Sequence, residues 1–548
     1  MMQRDLSRLT GTPFDLLVVG GGVYGLAAAY DAAQRGLRVA LVERGDFGSG
    51  SSFNHQKTAH GGLRYLQTGD VRRARESVLE RRTLARIAPH LLHPLAFVLP
   101  TVRSPTAGRL ALRTGFLLDR IVARDRNVGL PAALRLPAGR VISRDDCLRR
   151  FPGVRRKGLT GAGLWYDYQM SDAERLTMAI AVAAEGHGAV LANHAEAIAP
   201  RREQGRITGM TVRDALSGST LEVAARVILN AAGAGAGPLM AACGVARPVP
   251  LVQAMNFVTS RDATDAALGA RSPSGRHLFL VPWRRHALIG TWEAGVTCQP
   301  DARITSAQVA AFLAEINQAF PALDLAPGEI RMVHRGVVPA EVAADGRVSL
   351  RGRHEIRDHA QDGANGLVTV IGVKYTTARA VAQEAIDVIV GRLGGPAAAC
   401  RTAVVPLPGG EIPDAGAVRE QVRAAARDRL PPEVLAHLVD AYGARAQAVV
   451  DLLSEQAAWA EPIGGTHPVI AAELIHAVRY EMACTLTDAL VRRTGLGADG
   501  FPGEAAAGAA ARLLAAELGW DAPRVARELA ALRAFYEPLE IPTPLAAP

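Results

Sequence analysis

Apolar residues in the first forty positions fall into two rhythms. Residues 14–20 (FDLLVVG) form an unbroken apolar run of strand length, and a Gly-rich turn follows. The next stretch, VYGLAAAYDAAQRG, carries apolar residues at helical spacing and ends at Gly36. Residues 37–43 (LRVALVE) are a second strand, which completes the βαβ start of a parallel sheet. Residues 72–88 predict a charged amphipathic helix stopped by Pro89, with further helices over 110–124 and 172–185. Strands and turns dominate 189–237, including AARVILNAAGAG over 224–235, a buried strand running into another Gly-rich turn. A strand-rich stretch over 249–291 and a late βα unit over 366–390 follow. Residues 406–414 (PLPGGEIPD) read as a linker, and three or more helical segments fill 415–536 before a Pro-rich tail.

Composition narrows the class. With 548 residues and 49% hydrophobic content, the chain buries at least one large core and divides into roughly two to four domains. The one uncharged stretch long enough to span a bilayer, 227–246, is broken by Asn230, Pro238 and several glycines, which argues against a transmembrane helix. The N-terminus lacks the apolar core of a signal peptide, so the expectation is a cytoplasmic protein, or one that meets the cytoplasmic membrane face from its surface. Five scattered cysteines with no CxxC read as small apolar filler, and no HExxH or Cys/His cluster predicts a metal. A net charge of +9, carried mostly by arginine, would attract anionic substrates or lipids; no nucleic-acid motif accompanies it.

The first turn carries the most specific local chemistry. Gly20, Gly22 and Gly25 stand at GxGxxG spacing between a strand and a helix, where glycines permit the tight turn and the close approach of a pyrophosphate. Helix N-terminal N–H groups then hold the phosphates. Glu43 ends the second strand, where an acid binds ribose hydroxyls. Two later Gly-rich strand ends, one with Ala232 and Gly233 and one at Gly372, fit a sheet that contacts a long cofactor repeatedly. FAD is therefore favoured over a nicotinamide dinucleotide.

Arg64 and Tyr65 follow the double glycine Gly61–Gly62, which would let backbone run close to a flavin ring, and an arginine holds phosphate or carboxylate bidentately. Lys374 lies at a strand-to-helix turn, where its charge could stabilise a reduced flavin or polarise a substrate oxygen. Thr376 and Thr377 could cap the next helix or bond the flavin. The plainer readings are a surface arginine, a packing tyrosine and a solvated lysine. For the general base the candidates are His60, His334, Glu293 or a water.

Residues 51–67, SSFNHQKTAHGGLRYLQ, closely resemble the flavin-contacting segment of FAD-dependent glycerol-3-phosphate dehydrogenases, with its K-x-x-HGGLRYL pattern. Further likenesses are Ala88 to His90, Trp165-Tyr166-Asp167, Asn230 to Gly233, Val281-Pro282-Trp283, GVKYTTAR over 372–379, and AVRYEMACTLTDALVRRTGL over 477–496. The resemblance spans nearly the whole chain. It implies an α/β fold: a Rossmann-like FAD-binding domain (1–245 and 341–400), an α+β substrate cap (246–340), a linker (401–414) and a C-terminal all-α domain (415–548). It implies that Ser51, Ser52, Lys57, Gly61, Gly62 and Leu63 attend the cofactor, and that Arg64, Tyr65, His60 and Lys374 serve the reaction. The activity implied is oxidation of sn-glycerol 3-phosphate, or a related polyol phosphate or hydroxy acid, to the ketone. Quinone as acceptor, peripheral membrane contact and a homodimer are further expectations.

Departures fall on the substrate side. Val338 stands where the family has an arginine, with Arg335 nearby but out of register, and Asn256 replaces a histidine. An aspartate of the family appears as Glu293, and a following arginine is Arg351 or Arg353. The alternatives are a flavin oxidase using oxygen and a non-catalytic flavin-binding protein.

Overall fold

The computed structural model describes residues 2–536 except 105–107, 152, 264, 413–414, 427–428 and 466, so the expected Pro-rich tail and the end of the 401–414 linker lie outside the described residues. Strand β1 (Phe14–Val19), helix α1 (Val23–Gln34) and strand β2 (Val39–Val42) form the predicted opening unit. β1 lies at the centre of a sheet, parallel to β2 on one side and to the Thr220–Asn230 strand on the other. Val190–Ala192 extends the sheet beyond β2, and Leu367–Ile371 then Glu355–Asp358 extend it past Thr220–Asn230. Only the last pairing in that row is antiparallel. α1 is buried nearly all round because its alanines let it pack closely between Ala173–Gly186 and Ala378–Leu393.

The second sheet crosses the expected domain boundary. It contains the strands over 251–342, but also Leu92–Val102, Arg140–Ser143, Leu159–Met170 and the short Thr58–Ala59. Leu92–Val102 joins it by pairing parallel to Ala266–Arg271, with Ala96 opposite Ala266. Residues 246–340 are therefore one part of a layer that 58–170 completes. Helices α2 (Leu63–Gln67), α3 (Val71–Ile87) and α4 (Arg109–Val122) flank this region.

Helices fill the C-terminal region, as the periodicity predicts. One of their cores is shared with the second sheet: Phe53, Val258, Trp283 and Met332 pack with Leu474, Leu490 and Leu514. The segment read as a linker is packed. Leu407 is buried and its N–H donates to the Ile87 carbonyl at 2.8 Å, while a Cβ on Gly410 would lie 2.2 Å from that oxygen. No helix of the described residues is long and apolar enough to cross a membrane, and residues 227–246 hold a strand end, a turn and a short helix.

Candidate functional site

Backbone geometry explains each glycine of the first turn. Gly20 has φ +111°, and a Cβ there would stand 2.6 Å from the Ala231 carbonyl oxygen at the end of the neighbouring strand. A Cβ on Gly25 would fall 1.9 Å from the Gly20 oxygen, so α1 reaches β1 this closely only without a side chain. Gly22 caps α1. The Glu43 carboxylate accepts the N–H of Gly21 at 2.6 Å and of Gly45 at 2.8 Å, and burial pushes its pKa up. Ser52 reaches the same helix end, its hydroxyl accepting the Val23 N–H at 2.9 Å. A helix N-terminus, a buried carboxylate just past β2 and a turn with no room for a Cβ at Gly20 or Gly25 suit the pyrophosphate half of FAD. Asn230 shapes the adjoining strand end, its Oδ1 accepting the N–H of Ala232 at 3.2 Å just before Gly233 at φ +57°.

A second cluster forms where the 372–377 loop meets residues 58–65. The Lys374 amine donates to the His60 carbonyl at 3.2 Å and to the Ser77 hydroxyl at 2.9 Å, and lies 5.2 Å from the centre of the Tyr65 ring. Thr376 accepts the His60 N–H at 3.2 Å. Gly62 takes φ +77° to start α2, which carries Leu63, Arg64 and Tyr65. Arg73 covers the Tyr65 ring at 4.0 Å. Arg64 is exposed, donates no side-chain hydrogen bond to a described residue, and its charge helps depress the His277 pKa behind the larger effects of burial and Arg271.

Asp167 anchors this cluster from below. It is buried, pairs with Arg81 and accepts the Gly61 N–H at 2.6 Å. Burial raises its pKa, but Arg81 and His60 outweigh that and hold it at about 2. The His60 ring shares a hydrogen bond with Thr58 at 2.6 Å and has Nδ1 3.6 Å from Asp167, with its side chain 40% exposed. Burial pulls Lys374 down to about 8 against the opposing pull of Asp167.

Other expected residues are placed differently. Lys57 does not face the cluster: at φ +53° its side chain turns inward, is fully buried, and its amine pairs with Glu174 and donates to the Phe53 carbonyl at 2.6 Å. A buried amine needs such partners, and this requirement outweighs the cofactor contact that the motif suggests. Ser51 donates to the Val337 carbonyl at 3.3 Å, and Asn54 accepts the Arg335 N–H at 3.0 Å, which docks the 51–54 loop on the Ile330–Val342 strand. The Arg335 side chain runs toward the Phe535 carbonyl at 3.4 Å. Asn256 is buried and accepts the Thr291 hydroxyl at 2.8 Å, and His334 lies opposite it in register. His334 is enclosed by Phe53 and Trp283, and burial pushes its pKa down to about 3, which makes it a poor base at neutral pH. The Glu293 carbonyl accepts from Arg276 at 2.7 Å. Val338 pairs with Val252. Thr377 points its hydroxyl at the Lys374 carbonyl, 3.5 Å away.

Four residues of the cluster were not assigned from sequence: Tyr24, Ser77, and Arg81 with Asp167, the pair that fixes Gly61. Tyr24 lies inside GGGVYG, yet a tyrosine there reads as packing until the loop 350 positions away is seen to rest on it. Asp167 lay within a motif already noticed.

Comparisons with known proteins agree with this geometry. The model of the FAD dependent oxidoreductase family matches residues 15–388, and that of the C-terminal domain of alpha-glycerophosphate oxidase matches 400–525. A glycerol-3-phosphate dehydrogenase of Synechocystis sp. is 31% identical over 90% of this chain and 90% of its own length. One of Mycobacterium leprae is 33% identical over 96% of this chain and 88% of its own length. The fold is that of the glycerol-3-phosphate dehydrogenase from Bacillus halodurans, solved with FAD: TM-score 0.77, 24% identity, over 97% of this chain and 96% of that one.

Proposed function

Because this chain belongs to the FAD dependent oxidoreductase family and carries the C-terminal domain of alpha-glycerophosphate oxidases, we propose that it oxidises the secondary alcohol of glycerol 3-phosphate to the ketone. One observation carries the reading: relatives named for that activity align along nine-tenths or more of the chain at 31% and 33% identity, through both regions. FAD is the cofactor, and when bound it supplies the two-electron acceptor. Gly20, Gly22, Gly25, Glu43 and Ser52 would hold its nucleotide half, while Gly61, Gly62, Lys374 and Thr376 would border its ring.

The residues divide the remaining work. Arg64, exposed and with no side-chain hydrogen bond to a described residue, grips the phosphate. His60 takes the alcohol proton, and the nearby Asp167 stabilises the resulting imidazolium. Lys374 offsets negative charge arising beside Tyr65 and the 60–62 backbone. Neither Val338 nor Asn256 can supply the charge of the residues they replace, so substrate binding leans more heavily on Arg64.

Anaerobic mixing of the purified holoprotein with glycerol 3-phosphate, and separately with glycerol and lactate, tests the reading. Bleaching of the flavin by the phosphate ester alone is expected; no bleaching by any of them would leave a flavin-binding protein without this chemistry. Reoxidation by a water-soluble quinone in preference to oxygen fits a dehydrogenase, whereas rapid peroxide formation identifies an oxidase.

The quinone reading brings a lipid surface with it. α4 has two apolar faces: Leu112 and Phe116 are buried, while Leu110 (78% exposed), Leu117 and Ile121 (61%) form a stripe toward solvent. Arg113, Arg120 and Arg124 flank the stripe and pair with no described carboxylate. Apolar residues bordered by unpaired cations suit an anionic bilayer, and α4 packs against α2, which carries Arg64 and Tyr65.

A further inference from the structure

We infer that the C-terminal helical region is part of the cofactor-binding apparatus: through Asp46 it holds the loop that presents Glu43 to the nucleotide. This rests on FAD as the bound group. Residues 43–48 lie directly on the first glycine turn. Glu43 accepts the Gly21 N–H, and the Gly48 N–H donates back to the Gly21 carbonyl at 2.9 Å. One side of the loop is tied to the sheet, where the His194 N–H donates to the Gly45 carbonyl at 2.6 Å and the Ala195 N–H to that of Glu43 at 2.7 Å.

The other side is held from far along the chain. The buried Asp46 carboxylate accepts two hydrogen bonds from Arg493, both at 2.7 Å, one from Arg492 at 2.5 Å and one from Asn193 at 3.0 Å. Both arginines come from the single π-helical turn Asp488–Arg493. Arg492 also donates to Asp488 at 2.7 Å, and Asp488 shares a hydrogen bond of 2.9 Å with His194. The loop is thus enclosed by a buried network that starts and ends on the sheet and passes through the helical region. Asp46, His194 and Asp488 also have the spacing of cation ligands, but two guanidiniums already neutralise the carboxylates.

Docking alone does not require this. The helical region already shares an apolar core with the second sheet through Phe53, Trp283 and Met332. Burying ions is costly unless their geometry repays it, so such groups are poor glue and good at fixing one arrangement. Here the fixed arrangement is the path Arg493–Asp46–Glu43–Gly21. Asp46, Arg492 and Arg493 are accordingly positioning residues, acting on the cofactor through Glu43 and the glycine turn.

The shared apolar core supplies the control. Leu514, on Glu504–Leu518, is buried in that core and its side chain bonds none of Asp46, Arg492 or Arg493. Full-length Asp46→Asn, Arg493→Lys and Leu514→Ala would be stripped of flavin and titrated with FAD, following fluorescence quenching, with melting temperatures measured alongside. The first two should weaken FAD binding at least tenfold and speed amide exchange at Gly45 and Gly48. Leu514→Ala should lower the melting temperature yet leave FAD affinity within twofold. Should Arg493→Lys fail to fold, Asp46→Asn keeps the shape of the side chain and carries the test. Equal loss of affinity in all three, tracking melting temperature, would reduce the network to general stability and overturn the inference, as would no change in any. Wild-type protein that takes up no FAD would instead defeat the cofactor reading beneath it.

Discussion

The hydroxyl of Tyr24 closes a three-way junction with Lys374: it donates to the Lys374 carbonyl at 2.8 Å and accepts the N–H groups of Lys374 at 2.9 Å and Val373 at 3.0 Å. Tyr24 belongs to the first turn of α1, so these bonds tie the start of that helix to the loop that carries the candidate catalytic lysine. Gly372 makes room for the contact, since a Cβ there would stand 2.3 Å from the tyrosine ring.

Tyr24→Phe keeps the ring and removes all three hydrogen bonds, leaving two N–H groups to find water. The expected cost is roughly 1–3 kcal/mol, read by denaturant unfolding, with faster amide exchange at Val373 and Lys374. Unchanged unfolding and exchange would show that the junction holds nothing.

Lys374 should set an alkaline limit on turnover. Burial brings its pKa to about 8, so it carries its charge at neutral pH and loses it as pH rises through that value. The kcat/KM profile should fall above about pH 8. Lys374→Arg should retain activity to higher pH, and Lys374→Met should be slow throughout with no alkaline limb. A limb that persists in the methionine variant belongs to another group.

Asp167→Asn would leave the Arg81 guanidinium buried without its counter-charge. A loss of about 3–5 kcal/mol is expected near neutral pH. The folded pKa of Asp167 is held at about 2, below the ordinary carboxylate value, so its contribution is present above that ordinary value and is lost as pH falls toward 2. The difference between wild type and variant should therefore shrink on acidification. A gap that stays constant down to pH 2 would place the effect elsewhere.

Arg64→Ala should raise KM for the phosphate ester roughly 10- to 100-fold, in line with the loss of a charge-assisted contact, while bound FAD and the melting temperature stay unchanged. A normal KM would return Arg64 to the status of a surface arginine.

The α4 stripe makes its own prediction. Leu117→Glu with Ile121→Glu should cut sedimentation with anionic phosphatidylglycerol vesicles at least tenfold without affecting dye reduction in solution. If instead the wild type ignores vesicles and the double variant converts a dimer to a monomer, the stripe is covered by a second copy of the chain.

Much of this site could be read residue by residue, but only where local spacing settles the matter. Gly20, Gly22, Gly25 and Glu43 could be placed because strand, turn and helix are contiguous. Lys57 shows the limit. It sits in the most specific motif of the chain, yet one left-handed φ turns it toward Glu174, and no spacing rule announces that. α4 shows the limit again: its apolar residues serve two faces, and only packing tells the buried Phe116 from the exposed Ile121.

By itself the sequence determined the parallel βαβ opening, the dinucleotide turn, the helical C-terminal region and the kinship with flavin enzymes, because each rests on short-range periodicity or on runs of residues that stay together when the chain folds. Only the tertiary structure decided that Tyr24 supports Lys374, that Asp167 supports Gly61, that strands from 58–170 complete the second sheet, and that Arg493 reaches Asp46. These are contacts of about 3 Å between positions tens to hundreds of residues apart, and a directional bond of that length exists only once the intervening chain has been placed.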